Sequence, residues 1–115
     1  MTRMIDQFDI VLCTLSGDYG KPRPCVVIQN SAFNHNVSSS IVVCPITSKV
    51  QKEIIFRPTL LPDQDNGLQT ISQIMVDKMT AVKYDKVRTV IGVLPMQKQQ
   101  ELIQIIKLWL NLDNI

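Results

Sequence analysis

The sequence predicts a mainly β protein, a small and strongly bent sheet or SH3-like barrel capped by one C-terminal helix. Three observations carry this: short runs rich in β-branched and aromatic residues, turn signals between them, and a final segment whose apolar residues recur every three or four positions. Several short strands followed by a single helix bury their apolar faces against that helix or within the sheet's own curl. With 115 residues the expectation is one domain over 1–115, because two independent cores would each be too small.

Residues 8–15, FDIVLCTL, read as the first strand, stopped by the turn signal Ser16-Gly17-Asp18. Residues 24–29, PCVVIQ, read as the second, and the intervening SGDYGKPR, with its two glycines and its charges, as a working loop that includes Arg23. A polar stretch then leads to residues 41–46, IVVCPI, where Pro45 suggests an edge strand or a bulge, and the strand exits through Thr47, Ser48 and Lys49. Residues 53–56 suggest a short strand stopped by Arg57-Pro58, and residues 68–76, LQTISQIMV, a longer one after the loop LPDQDNG. Alternation along that strand would put Gln73 on the same face as Ile71. Asp77-Lys78 turns the chain, and residues 89–94 form the last strand. From Met96 to about Leu112, the stripe Leu102, Ile105, Ile106, Trp109 and Leu112 predicts a helix packed on the sheet, with Pro95 at its start, where a missing N–H costs nothing.

Composition excludes several classes. No apolar run is long enough to span a bilayer and MTRMIDQFDI lacks the apolar stretch of a signal peptide, so the expectation is a cytoplasmic protein with no membrane contact. Cys13, Cys25 and Cys44 sit in apolar runs without a C-x-x-C pair and read as buried reduced thiols. No Asp/Glu/His cluster has ligand spacing, so neither metal nor cofactor is expected. Gly17 and Gly20 lack the Lys-Ser/Thr that completes a nucleotide-binding loop. A formal charge of +2 suits local contact with a few phosphates better than wrapping of a long duplex.

The order strand, G-x-x-G-K-P-R-P, VVIQN and VVCPITS resembles the N-terminal half of MazF/PemK-type toxins, with Gly20, Arg23, Pro24, Val27, Ile28, Asn30, Phe33, Asn34, Pro45, Ile46 and Thr47 in register. ISQIMVDK and IGVLP followed by a helix resemble the same family's later segments, so the resemblance runs over nearly the whole chain. Two positions depart from the common pattern: Ser72 and Met75 stand where many relatives carry an acidic residue and an arginine. The resemblance implies a CcdB/MazF-like fold, a homodimer, sequence-specific cleavage of single-stranded RNA, and neutralisation by a cognate antitoxin. A CcdB-like gyrase poison and a catalytically silent binding relative share the frame. The chain lacks the Trp-Gly-Ile ending expected of the former; retention of Arg23 and Thr47 stands against the latter, while the Ser72 and Met75 departures argue for it.

Metal-free RNA cleavage uses the ribose 2′-OH as an internal nucleophile, so the protein must orient that group and stabilise charge growing on the phosphate. Arg23 suits the charge role, since its guanidinium stays protonated and grips phosphate oxygens through two bonds, and Thr47 can add a neutral hydrogen bond; both match positions that carry catalysis in the family. Asp18 falls where relatives place a glutamate, either to accept the 2′-OH proton or to hold Arg23. Lys21, Lys49 and Lys52 are expected to contact flanking phosphates, and Ser48, Gln51 and Gln73 to read base edges. His35, the single histidine, is the alternative acid or base, in a polar loop where a solvated role is expected.

Overall fold

The computed structural model describes residues 4–34 and 38–112. Within them, seven strands form one curled half-barrel sheet in the order β4-β5-β3-β2-β1-β7, with β6 paired to β3 off that path. Its centre is β1 (Asp9–Thr14), β2 (Pro22–Val27) and β3 (Ser40–Thr47), successive antiparallel neighbours. These runs are apolar without alternation because both faces are covered. Ile10, Val26, Cys44 and Ile46 enter one buried cluster, and Val11, Cys13, Cys25, Val27, Ile41 and Val43 another. Burying each such aliphatic side chain stabilises the fold by roughly 1.5–3 kcal/mol.

Arg23 is not in a loop, as its glycine-rich surroundings suggest, but is the second residue of β2, opposite Cys13 of β1. The turn is confined to residues 15–21, where Gly17 and Gly20 take φ values of +90° and +80°. Pro45 is likewise neither at an edge nor beside a bulge of its own. β3 shares its outer side between two partners: Ile46 and Thr47 pair with Ile74 and Gln73 of β5 (Ser72–Ile74), while Ser40–Val43 pair with Lys83–Thr80 of β6 (Thr80–Lys83). From Ile46 to Val43 is three steps, whereas their partners Ile74 and Thr80 are six apart, and the extra residues form a single 3-10 turn, Val76–Lys78. Pro45 lies at that junction, where its carbonyl accepts from Met75 N at 2.8 Å and its missing N–H leaves no gap in a ladder.

Two expected strands are corrected. Residues 53–56 form turns, since Glu53 adopts φ +61°, a left-handed conformation that no strand accommodates. The strand expected over 68–76 shrinks to β5, flanked by the two-residue β4 (Thr59–Leu60). Its start is pulled out of the sheet by Asn66, whose side-chain oxygen accepts from Leu68 N at 2.9 Å. Consequently Ile71 is 51% exposed while Gln73 is 3% exposed, and the two share no face.

β7 (Val87–Val93) pairs with β1 and lines the second cluster with Val87 and Val90. The helix α1 (Met96–Leu110) begins after Pro95, whose carbonyl accepts from Gln99 N at 2.9 Å, and ends at Asn111 in the left-handed conformation that closes a helix. Of the expected stripe, Leu102 is buried and Ile105 and Ile106 pack on the first cluster; Trp109 sits against Phe56 with ring centroids 5.0 Å apart. The loop of residues 61–67 is locked onto β7 by close backbone approach, since a Cβ on Gly92 would overlap the Asp65 carbonyl oxygen and the Asn66 backbone.

Candidate active site

The β2–β3 register builds the site. The paired register ends at Cys25 and Pro45, and just beyond it Arg23 of β2 and Thr47 of β3 reach the same cleft. The link is made by the Arg23 side chain, whose Nη1 donates to the Ile46 carbonyl at 3.1 Å. The β1–β2 turn then folds Asp18 back: its backbone N–H meets the Leu15 carbonyl and its carbonyl accepts from Lys21 N. Arg23 Nε and Nη2 donate to the two Asp18 carboxylate oxygens at 2.8 and 3.1 Å. These bonds hold the Asp18 carboxyl below the ordinary aspartate range and keep the guanidinium charged. With three of its five N–H donors committed, Arg23 presents a fixed edge to whatever enters.

Thr47 is nearly buried, and its Oγ1 accepts from Lys49 N at 3.1 Å, which leaves the hydroxyl proton available to donate outward. Arg23 and Thr47 open into a cleft of ≈ 930 Å³, which Asp18, Lys21, Ser48, Lys49 and Gln51 also line. Two expected site residues stay outside it. Lys52 and Gln73 line a neighbouring groove, with Gln51 and Arg57 forming the wall common to both. The Gln73 amide is spent on the backbone of Gln51, donating to its carbonyl at 2.8 Å and accepting from its N–H at 3.0 Å. That is a hold on the 48–51 segment and leaves no free amide group aimed at a base. His35 lies outside the described residues.

Sequence reasoning missed three cleft residues. Arg57 was hidden by the strand assigned to 53–56; its resemblance to Arg23, as the other Arg-Pro dipeptide of the chain, was a usable signal. Lys78 adds a further cation, and Tyr19 stands at the cleft fully exposed with φ +54°. Lys21, Arg23, Lys49, Arg57 and Lys78 line the cleft against a single acidic residue, Asp18. The mild charge of the whole chain is thus concentrated where an anionic chain can lie. Among the described residues no group of three His, Cys, Asp or Glu side chains converges as a metal site would, and no helix is long and apolar enough to cross a membrane.

Residues 6–110 match the family described as "PemK-like, MazF-like toxin of type II toxin-antitoxin system". The chain belongs to the MazF/PemK toxins. It is 36% identical over 75 residues to a probable endoribonuclease MazF of Mycolicibacterium smegmatis, a match spanning 64% of this chain and 67% of that relative. Among solved structures, the Mycobacterium tuberculosis toxin MazF-mt6 superposes with a TM-score of 0.79 at 22% identity, covering 91% of this chain and 98% of that one. MazF from Deinococcus radiodurans gives 0.77 at 21% identity, with 96% and 99% covered. A mycobacterial endoribonuclease solved in complex with its cognate antitoxin gives 0.74 at 14% identity, with 96% and 97% covered. These structural likenesses establish the MazF fold of the bent sheet and its helix. Arg23 and Thr47, the two residues that the sequence resemblance singles out, both line this cleft.

Proposed function

We propose that this MazF-family toxin is a metal-independent endoribonuclease that cuts single-stranded RNA at its Arg23–Thr47 cleft. The observation that carries this reading is a guanidinium fixed by three hydrogen bonds beside a free hydroxyl, in a cleft with five cations and one carboxylate. The 2′-oxygen loses its proton and bonds to phosphorus, the P–O5′ bond breaks, and the 5′-oxygen takes up a proton. The products are a 2′,3′-cyclic phosphate and a 5′-hydroxyl. Arg23 stabilises the negative charge that grows on the phosphate, and Thr47 donates to the same group.

Asp18 takes the holding role, because both its oxygens are engaged by Arg23 and its depressed pKa makes it a weaker base. Lys21 and Lys49 contact phosphates on either side, and Lys52 one in the adjacent groove. Ser48 and Gln51 read base edges while Gln73 keeps Gln51 in place, and the exposed Tyr19 ring offers a stacking platform for a splayed base. We further propose a cytoplasmic homodimer restrained by a cognate antitoxin, supported by family membership and by the exposed apolar residues Leu108, Trp109, Leu110 and Leu112 at the end of α1.

The test is incubation of the purified protein with mixed single-stranded RNA in EDTA, beside DNA of the same sequence. Cleavage of RNA alone, with cyclic-phosphate and 5′-hydroxyl ends, is expected because DNA lacks the internal nucleophile. Loss of cleavage in EDTA, or 5′-phosphate ends, would overturn the mechanism. Sedimentation at micromolar concentration should give a species heavier than the 13.0 kDa chain.

A further inference from the structure

Arg57 repeats the arrangement that fixes Arg23. Both belong to Arg-Pro dipeptides, and each guanidinium donates through Nε and Nη2 to the two carboxylate oxygens of one aspartate. For Arg57 the partner is Asp77 of the Val76–Lys78 turn, at 2.9 and 2.8 Å. Mutual hydrogen bonding lowers the Asp77 pKa and keeps Arg57 charged. The difference lies in the third nitrogen. Arg23 spends Nη1 on the Ile46 carbonyl, whereas Nη1 of Arg57 has no hydrogen bond among the described residues and is not buried. The Arg57 side chain is only 12% exposed, so its stem is packed and its position set. It stands on the wall common to the catalytic cleft and the groove lined by Lys52 and Thr59.

We propose that Arg57 binds a phosphate of the RNA backbone beyond the scissile one, guiding the strand from the cleft over this wall into the Lys52 groove. The inference rests on the RNA reading above. A fixed guanidinium with a free edge is pre-organised for two parallel N–H···O bonds to phosphate, and the loss of side-chain freedom is already met by Asp77. No base is read by this contact, so its effect is on affinity for any single strand.

The experiment measures binding of a short mixed-sequence single-stranded DNA, which offers the phosphates but cannot be cleaved, over a range of salt concentrations. Removing one phosphate contact should shallow the plot of log affinity against log salt by about 0.7. Arg57→Gln is expected to show that change and to bind about tenfold more weakly, and Arg57→Lys to recover the slope. Asp77→Asn breaks the same ion pair but keeps the cation, and should retain the wild-type slope. If the pair served only to brace the fold, Arg57→Gln and Asp77→Asn would act alike, and that result overturns the proposal. Should either variant fail to fold, the exchange Arg57→Asp with Asp77→Arg keeps the pair and moves the cation; a wild-type slope there is equally fatal. Wild-type protein that binds the strand with no salt dependence would remove the RNA reading itself. A wild-type slope that Arg57→Gln leaves unaltered removes only the inference.

Discussion

Replacing Arg23 with alanine isolates the chemical step from the fold. The side chain makes three hydrogen bonds, to both Asp18 oxygens and the Ile46 carbonyl, so the N–H groups it has left are the ones that can meet a phosphate. Losing one pre-organised donor to a developing oxyanion lowers kcat by about 10²–10³-fold, or roughly 2.7–4 kcal/mol. The donors here act on one phosphate and are not additive, so Arg23→Ala should slow cleavage by about a hundredfold or more, with a smaller change in KM. Arg23→Lys should recover little, since an ammonium cannot span Asp18 and Ile46 while offering a second bidentate edge. The fold should persist although the residue lies in β2, because its side chain is 32% exposed and belongs to neither apolar cluster. Partly exposed hydrogen bonds of this kind contribute about 1 kcal/mol, which corresponds to a melting shift of about 4 °C. Single-turnover cleavage of a fluorescent RNA beside thermal unfolding checks both halves. A rate within about threefold of wild type, together with loss of activity in His35→Ala, would refute the assignment and move the chemistry to the histidine.

Gly92→Ala should destabilise the protein by about 1–3 kcal/mol or more, read by urea unfolding, because the new Cβ meets the backbone of Asp65 and Asn66 with nothing flexible to yield. Gly20→Ala meets no atom within 4 Å but must hold φ +80°, so a cost of about 1–2 kcal/mol is expected from strain alone. The Asp18 and Asp77 carboxyls, held low by hydrogen bonds from Arg23 and Arg57, contribute stability that is complete above the unfolded-chain value of about 3.9. That contribution disappears as pH falls through the lower folded-state values; melting temperatures should therefore drop on the acid side, and Asp77→Asn should blunt the drop. Burial pushes the Cys44 thiol up to about 12, and the Cys13–Cys25 hydrogen bond raises Cys25, as burial also does, while lowering Cys13. All three side chains are fully buried, so an alkylating reagent at pH 8 should label them only after denaturant is added.

The parts of the fold that were legible in the sequence are those fixed by local pattern. β1 and β3 were visible as unbroken β-branched runs, and α1 as a 3.6-residue stripe. What was hidden depends on contacts between distant segments. β4 has two residues and β6 four, too few for a pattern, and both exist through their pairing with β5 and β3. The 53–56 segment has strand composition, but a left-handed Glu53 and the Arg57–Asp77 pair set it as a turn. Among the candidate site residues, the gathering of Asp18, Lys21, Arg23, Thr47 and Lys49 at one cleft was readable because they sit beside the glycine turn and at a strand exit. Gln73 and Lys52 were displaced because sequence distance does not say on which side of a wall a residue stands.

The β3 strand explains why the site can tolerate such polarity next to a dense apolar sheet. Its first half pairs with β6 along Ile41–Val43 and with β2 along Val43–Cys44, and the Ile41, Val43 and Cys44 side chains are fully buried, so stability resides there. Beyond Pro45 the outer partner changes from β6 to β5, and only Ile46 and Thr47 continue the ladder before the chain leaves the sheet. The polar groups of the cleft are therefore supplied at strand ends and turns, where backbone hydrogen bonds to Gln73, Asp18 and Arg23 replace ladder bonds. A substitution in the 48–51 segment should consequently alter which RNA is cut long before it alters whether the protein folds, and one in Val43 or Cys44 should do the reverse.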